Sequence, residues 1–131
     1  MLKKKTQYSD IPFFISKNYF TGDINLVKDN NAIKQSLKNL VLTVRGERPF
    51  RYVLGGNPRE FLFDQFDAKV SLECKLLIAN VINTYEPRVS LIDVAIEFSR
   101  INPNRINIIV VFRYSQTEAS DSITISLERT R

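Results

Sequence analysis

The sequence predicts a single α+β domain in which about three helices pack on one face of a three-stranded antiparallel β-meander. Two patterns predict this class. Apolar residues recur at helical spacing between residues 28 and 86, and they alternate with other residues in the last third of the chain. The 131 residues suit one compact domain, and the 44% hydrophobic content is sufficient for a buried core.

Three segments divide the predicted domain, which covers residues 1–131. Residues 1–27 have no clear period but contain many large apolar groups, so we expect an ordered, extended N-terminal arm. This arm could lie across the protein's own core or across a partner. Residues 28–86 form the expected helical part, and residues 88–130 form the expected antiparallel strands.

Three helices are expected in the helical part. The first lies within "KDNNAIKQSLKNLVLT", where capping residues precede an apolar stripe made of Ile33, Leu37, Leu40, Val41 and Val44. The second is "PREFLFDQF", with Asn57 as its cap and Pro58 as its first residue. The third covers about residues 69–85 and is ended by Pro87. Its stripe consists of Cys74, Ile78, Val81, Ile82 and Tyr85, widened by Leu72, Leu76 and Ala79.

Three strands are expected after the helices. The first carries apolar residues in alternation at Ile92, Val94, Ile96 and Phe98. The second does so at Ile106, Ile108, Val110, Phe112 and Tyr114, and its other face is also partly apolar, so we expect it to be central. The third alternates in the same way at Ile123, Ile125 and Leu127, and in a meander it occupies an edge.

Composition excludes several kinds of active site. The chain has no histidine and one cysteine, Cys74, so it cannot form a Ser-His or Cys-His catalytic pair or an internal disulfide. We expect no metal and no cofactor, because neither a zinc-binding set nor a phosphate-binding loop is present. A small peptidoglycan hydrolase with paired carboxylates remains possible. The available acids include Glu47, Glu60, Asp64, Asp67, Glu73 and Glu86.

An arginine follows closely in both Glu47-Arg48 and Glu86-Pro87-Arg88. A neighbouring cation favours the ionised carboxylate, which is unsuitable for a general acid. We therefore do not expect an enzyme.

The net charge is +5, but aromatic and basic residues do not alternate as in a base-stacking surface, so nucleic acid is not an expected partner. No apolar run approaches the roughly 20 residues of a membrane span, so no membrane contact is expected either.

A cluster of arginines occurs in the stretch "RGERPFR", which places Arg45, Arg48 and Arg51 around a turn with Phe50. The stretch could be a solvated basic loop. Alternatively, its guanidinium groups could bind backbone carbonyls or carboxylates, Glu86 among them. Composition does not separate these two interpretations.

Four stretches occur in an order that resembles a known family. They are "YSDI" at 8–11, "NNAIKQSLKNLVLTVRGERPF" at 30–50, "LFD" at 62–64 and "INTYEPRV" at 82–89. Together they resemble the baseplate wedge family of contractile-tailed phages, often labelled gene 25-like lysozyme. Type VI secretion systems and related contractile injection machines carry a similar subunit. The resemblance covers nearly the whole chain, although Arg51, Tyr52, Val53 and Leu54 depart from the family pattern after "RPF".

The resemblance implies a structural subunit of the inner baseplate wedge, located in the virion and assembled in the host cytoplasm. It implies docking to a larger wedge subunit that forms a core bundle, and contact with the tail sheath protein, whose first ring the C-terminal strands template. Other wedge or hub proteins are further candidate partners. Activity as a small peptidoglycan hydrolase of the tail is the alternative function.

We expect the partner-binding residues to lie in three places. Glu86, Pro87 and Arg88 match the family's motif, and Pro87 is expected to fix a rigid corner from which both charges project. Arg45 and Arg48 belong to the arginine-rich turn. The predicted edge strand supplies Ile123, Thr124, Ile125, Ser126 and Leu127 for strand addition, unless the aromatic arm around residues 13–20 covers that edge. Whether Glu86 and Arg88 pair with each other or with a partner is open.

Overall fold

The computed structural model describes residues 8–12, 16, 27–63, 67–102 and 104–129. The chain falls into two compact units, Met1–Leu37 and Lys38–Arg131. The described elements are β1 (Ser9–Asp10), β2 (Val27–Lys28), α1 (Asn30–Leu42), a 3₁₀ turn (Pro58–Leu62), α2 (Ala68–Tyr85), β3 (Val89–Phe98), β4 (Arg105–Tyr114) and β5 (Ser120–Glu128). None of the described helices is both long enough and apolar enough to span a bilayer.

The α+β class is confirmed, but the prediction of about three helices is wrong: the described residues contain two α-helices. In place of the third, Pro58–Leu62 forms a 3₁₀ turn, in which Glu60 N–H bonds to Asn57 O and Phe63 N–H bonds to Glu60 O. Pro58 does start this turn, but Phe63 remains 66% exposed. The segment therefore has no buried stripe to sustain further turns. Residues 64–66 lie outside the described residues.

Helix α2 begins and ends where its sequence predicts. The Asp67 side chain accepts the Val70 N–H at 2.9 Å and caps the first turn. The predicted stripe of Cys74, Ile78, Val81 and Ile82 is buried, and α2 packs against β3. The expected widening of this stripe is wrong for Leu72 and Leu76, which are 56% and 60% exposed.

The sheet is antiparallel with the strand order β3-β4-β5, so β4 is central as expected. Its inward face is formed by alternate residues of β4, from Ile106 to Tyr114, together with Ile125 and Leu127 of β5. The rings of Phe112 and Tyr114 meet edge to face, with their centroids 5.2 Å apart. These inward residues form the buried face of the sheet.

One residue of β3 does not follow the predicted alternation. Leu91 is opposite Phe112 and Asp93 is opposite Val111, so Ile92 is an extra residue that forms a β-bulge. The bulge places Leu91 rather than Ile92 in register with the inward face. Ile92 is consequently 50% exposed, and its predicted place in the buried set is wrong.

In the N-terminal unit, the two short strands β1 and β2 pair in antiparallel orientation. The backbone N–H of Asp29 donates to Tyr8 O at 2.8 Å, and the Asp29 carboxylate accepts the Tyr8 N–H at 3.4 Å. The Gln35 side-chain amide also donates to Ile11 O. These bonds hold the two described ends of the predicted arm together. Residues 13–15 and 17–20, which carry most of its aromatic groups, lie outside the described residues.

Candidate functional site

The corner between α2 and β3 is built by Glu86, Pro87 and Arg88. Glu86 is the C-cap of α2, and its backbone N–H donates to Ile82 O at 2.9 Å. Pro87 has no N–H to continue the helix, and β3 begins two residues later. The backbone thus turns from helix to strand within three residues.

The two charges of this corner pair with each other. Arg88 Nε lies 2.5 Å from Glu86 Oε1 and Arg88 Nη2 lies 2.6 Å from Glu86 Oε2, which is a two-bond fork. The Glu86 side chain is only 4% exposed, whereas that of Arg88 is 29% exposed. The expectation that both charges project into solvent is therefore wrong for Glu86. The open question of their pairing is answered: they form an internal, largely buried ion pair.

Hydrogen bonds connect this corner to the residue that follows β4. Ser115 N–H donates to Arg88 O at 3.0 Å, and the Ser115 hydroxyl donates to Pro87 O at 3.4 Å. A shallow cavity of about 390 Å³ lies beside it, lined by Ser90, Leu91, Ile92, Arg113, Tyr114, Ser115 and Glu118. At this corner Pro87 is exposed and Arg88 is partly exposed.

Tyr114, which also lines this cavity, makes a side-chain hydrogen bond to β5. Tyr114 is 3% exposed, and its hydroxyl donates to the Asp121 carboxylate at 2.9 Å. Burial, followed by this hydrogen bond and the Asp121 charge, raises the pKa of Tyr114 above its usual range. Tyr114 therefore acts here as a neutral donor that links β4 to the start of β5.

Arg45 and Arg48 differ in their surroundings. Arg45 Nε donates to the backbone carbonyl of Gly55 at 3.3 Å, so this guanidinium binds a carbonyl of its own loop region. Arg48 is exposed on the loop that follows. The nearby Gly55 has a φ of +127°, and a Cβ there would lie 2.2 Å from Thr43 O. Only glycine permits this close approach of the two backbone segments.

The strand edge at β5 shows which backbone groups point outward. Arg129 N–H bonds to Asn104 O, and Tyr114 N–H bonds to Ala119 O, at the two ends of the β4–β5 register. Hydrogen-bonded pairs alternate in an antiparallel ladder, so residues 121, 123, 125 and 127 bond to β4. The N–H groups of Ser122, Thr124 and Ser126 therefore point away from the sheet. In agreement, Ser122 N–H donates to the neighbouring Asp121 carboxylate at 2.8 Å.

The side chains of β5 divide in the same regular way. Ile125 and Leu127 are buried and Ile123 is half-buried, whereas Thr124 and Ser126 are exposed. Among the described residues, β5 pairs only with β4. The sequence indicated this edge correctly. It could not indicate which N–H groups point outward, because that depends on the register with β4.

The acids considered for catalysis are mostly engaged elsewhere. Glu47 accepts the Val44 N–H at 3.1 Å, and Asp67 caps α2. Glu60 accepts from the Asn57 amide, and Glu73 lies 3.9 Å from Lys69. Asp64 lies outside the described residues. In the described part of the chain, no group of three or more Cys, Asp and Glu side chains is placed to hold a metal ion.

The corner is internally fixed, and among the described residues the outer edge of β5 pairs with no other strand. A comparison with known families identifies the class of protein. Residues 27–119 match the model of the baseplate wedge protein gp25 family. The chain belongs to this family, which confirms the resemblance noted from its motifs. No curated protein matches the sequence at a significant level.

Solved structures share the fold. A candidate tail lysozyme from Geobacter sulfurreducens is 19% identical, with a TM-score of 0.68 over 76% of this chain and 89% of that one. A chain of the anti-feeding prophage baseplate is 23% identical, with a TM-score of 0.64 over 91% and 83%. A chain of the post-contraction pyocin R2 baseplate is 15% identical, with a TM-score of 0.52 over 89% and 100%. At these identities the likeness establishes the fold alone.

Proposed function

We propose that this protein is a non-enzymatic subunit of the inner wedge of a contractile-tail baseplate, within the virion. It docks to a larger wedge subunit through the corner at Pro87 and Arg88, and it templates the first tail-sheath ring through β5. Family membership supports the baseplate role. The observation that carries the sheath contact is the regular outer edge of β5, which pairs with no other strand among the described residues.

Strand addition at β5 follows from the chemistry of that edge. Between Ser122 and Leu127 there is no proline, glycine or charged residue, the residue types that usually prevent strand addition at an edge. An incoming strand would bond to the outward groups of Thr124 and Ser126. Main-chain bonds of this kind provide affinity, while the exposed side chains adjust specificity. The family match itself ends at residue 119, before β5 begins.

The corner suits docking because its geometry is already fixed. The Glu86–Arg88 fork and the bonds from Ser115 hold the backbone before any partner arrives. A partner that binds Pro87 and the exposed part of Arg88 has little chain to order, which lowers the entropic cost of association. The buried Glu86 acts on this contact through Arg88, which it orients.

Proline substitution in β5 tests the sheath contact. Thr124→Pro and Ser126→Pro each remove an N–H that points outward, so the monomer should fold while baseplates carrying them fail to nucleate sheath. Thr124→Val is the matched control, because it changes the side chain and keeps the N–H. Ile125→Pro removes a bond to β4 and should destabilise the monomer. Electron microscopy of baseplates mixed with purified sheath protein gives the fraction that carry sheath.

The proposal predicts different outcomes for the proline variants and the valine variant. Both outward proline variants should lose sheath, and the Thr124→Val variant should keep it. Normal sheath formation on a folded Thr124→Pro or Ser126→Pro variant would show that the sheath does not add a strand at this edge.

A further inference from the structure

The loop of residues 45–53, called here the arginine loop, is closed at its base by hydrogen bonds. Gly46 N–H donates to Tyr52 O at 2.9 Å, which joins the two sides of the loop. The Glu47 carboxylate accepts the Val44 N–H, and Arg45 Nε donates to Gly55 O. The loop therefore has a defined shape although most of its side chains are exposed.

Its apex is a tight turn with an unusual residue. Arg51 N–H donates to Arg48 O at 3.2 Å, Pro49 occupies the second position, and Phe50 occupies the third with a φ of +70°. Proline followed by a residue of positive φ is the pattern of a type II turn, in which glycine or asparagine is favoured third. A bulky residue in this conformation is strained, and such strain is concentrated at functional sites.

The strained ring is directed into solvent. Phe50 is 95% exposed, and Tyr52 and Val53 are each 69% exposed. Single exposed apolar residues are ordinary on protein surfaces, but three large ones within four residues of a closed loop are not. Neither folding nor solubility of the monomer explains a strained, exposed phenylalanine at this apex.

The charges of the loop indicate what it binds. It carries three arginines and one acid, Glu47, whose carboxylate is bonded to the loop's own base. The complementary surface is therefore acidic. Arginine with aromatic residues, and no lysine, is the composition of the central part of protein–protein interfaces. A surface for polyanions such as nucleic acid uses lysine and arginine alike.

We propose that the arginine loop is a preformed anchor that inserts Phe50 into an apolar pocket bordered by carboxylates on a partner protein. Arg48 and Arg51 flank the ring and bind those carboxylates. This inference rests on the proposed function, and it assigns the pocket to the larger wedge subunit. It adds a second contact to that interface, separate in sequence from the corner at Arg88.

The substitution Phe50→Gly tests the anchor. Glycine removes the ring and relieves the strain at a positive φ, so the isolated variant should melt at the same temperature as the wild type or higher. Its affinity for the purified larger wedge subunit should nevertheless fall by about 30-fold or more, as for the loss of a central interface residue. Isothermal titration calorimetry measures the affinity. Phe50→Asn, which also tolerates the turn, should repeat the result and exclude an effect of added loop flexibility.

An exposed residue elsewhere provides the matched control. Ile101 is 97% exposed in the connection between β3 and β4, and Ile101→Gly should leave the affinity unchanged. The variant Arg48→Glu/Arg51→Glu replaces the two flanking positive charges with negative ones. It should also bind the wedge subunit more weakly than the wild type does, and its affinity should depend less on salt concentration.

Three outcomes would overturn the inference. If Phe50→Gly binds the wedge subunit as tightly as the wild type does, the loop is not an anchor, and the proposed function is unaffected. If the wild type does not bind that subunit at all, the proposed docking fails together with the anchor. If Phe50→Gly keeps its affinity for the wedge subunit but loses affinity that the wild type has for a single-stranded oligonucleotide, the loop is a nucleic-acid contact instead.

Discussion

Removal of the Arg88 guanidinium should destabilise the isolated protein, because it removes the two-bond fork that balances the charge of the buried Glu86 carboxylate. Breaking a fully buried pair costs about 3–5 kcal/mol. Arg88 is 29% exposed, so water can enter the space that Arg88→Ala leaves and compensate part of this cost. We therefore expect a loss of about 2–3 kcal/mol in the free energy of unfolding.

This loss corresponds to a measurable shift in melting temperature. A chain of 131 residues has an unfolding entropy of roughly 275 cal/mol/K at about 2.1 cal/mol/K per residue, so Arg88→Ala should lower Tm by about 7–11 °C. Arg88→Lys keeps the charge but loses the fork, so its loss should be intermediate. Calorimetry and urea unfolding of the purified proteins measure both quantities.

A double-mutant cycle separates the pair from other effects of each substitution. Glu86→Gln removes the buried charge, so adding Arg88→Ala to it should cost much less than Arg88→Ala alone. If Arg88→Ala changes stability by less than about 0.5 kcal/mol and the coupling is near zero, the pair does not stabilise the monomer. The corner would then be held by its backbone bonds alone.

Three further predictions concern other parts of the molecule. Gly55→Ala should prevent or severely weaken folding in circular dichroism, because its Cβ would lie 2.2 Å from Thr43 O. Burial raises the pKa of the Cys74 thiol to about 11, so it should resist alkylation at pH 8 until urea is added. The unfolded thiol loses its proton near pH 8.5, so wild-type stability relative to Cys74→Ala should fall as pH rises from about 8.5 to 11. The purified protein should not clear peptidoglycan, and turnover abolished by Glu47→Gln or Glu86→Gln would contradict a purely structural role.

The sequence predicted the elements whose signals are local. The end of α2 at Pro87 and the apolar stripe from Cys74 to Ile82 follow from signals that act over a few residues. The alternation in β4 and β5 persists over enough residues to determine their inward faces. The ordered family motifs also indicated the baseplate class, which the family match over residues 27–119 confirms.

The remaining features depend on contacts between distant residues. The bulge at Ile92 follows from pairing with β4, and the sequence of β3 alone does not contain it. Leu72 and Leu76 have helical spacing, yet tertiary packing leaves them exposed. The motif left open whether Glu86 pairs with Arg88 or with another chain, because sequence proximity alone does not determine the burial of a side chain. No local pattern distinguishes these cases.

The bulge at Ile92 makes the two borders of the sheet unequal. On β3 it interrupts the regular spacing of outward N–H groups, and Lys75 of α2 lies 2.6 Å from Asp93 beside it. On β5 the outward groups recur without interruption from Ser120 to Glu128. A strand that pairs at one border would therefore not find the same spacing of donors at the other, so the two borders are not interchangeable as pairing sites.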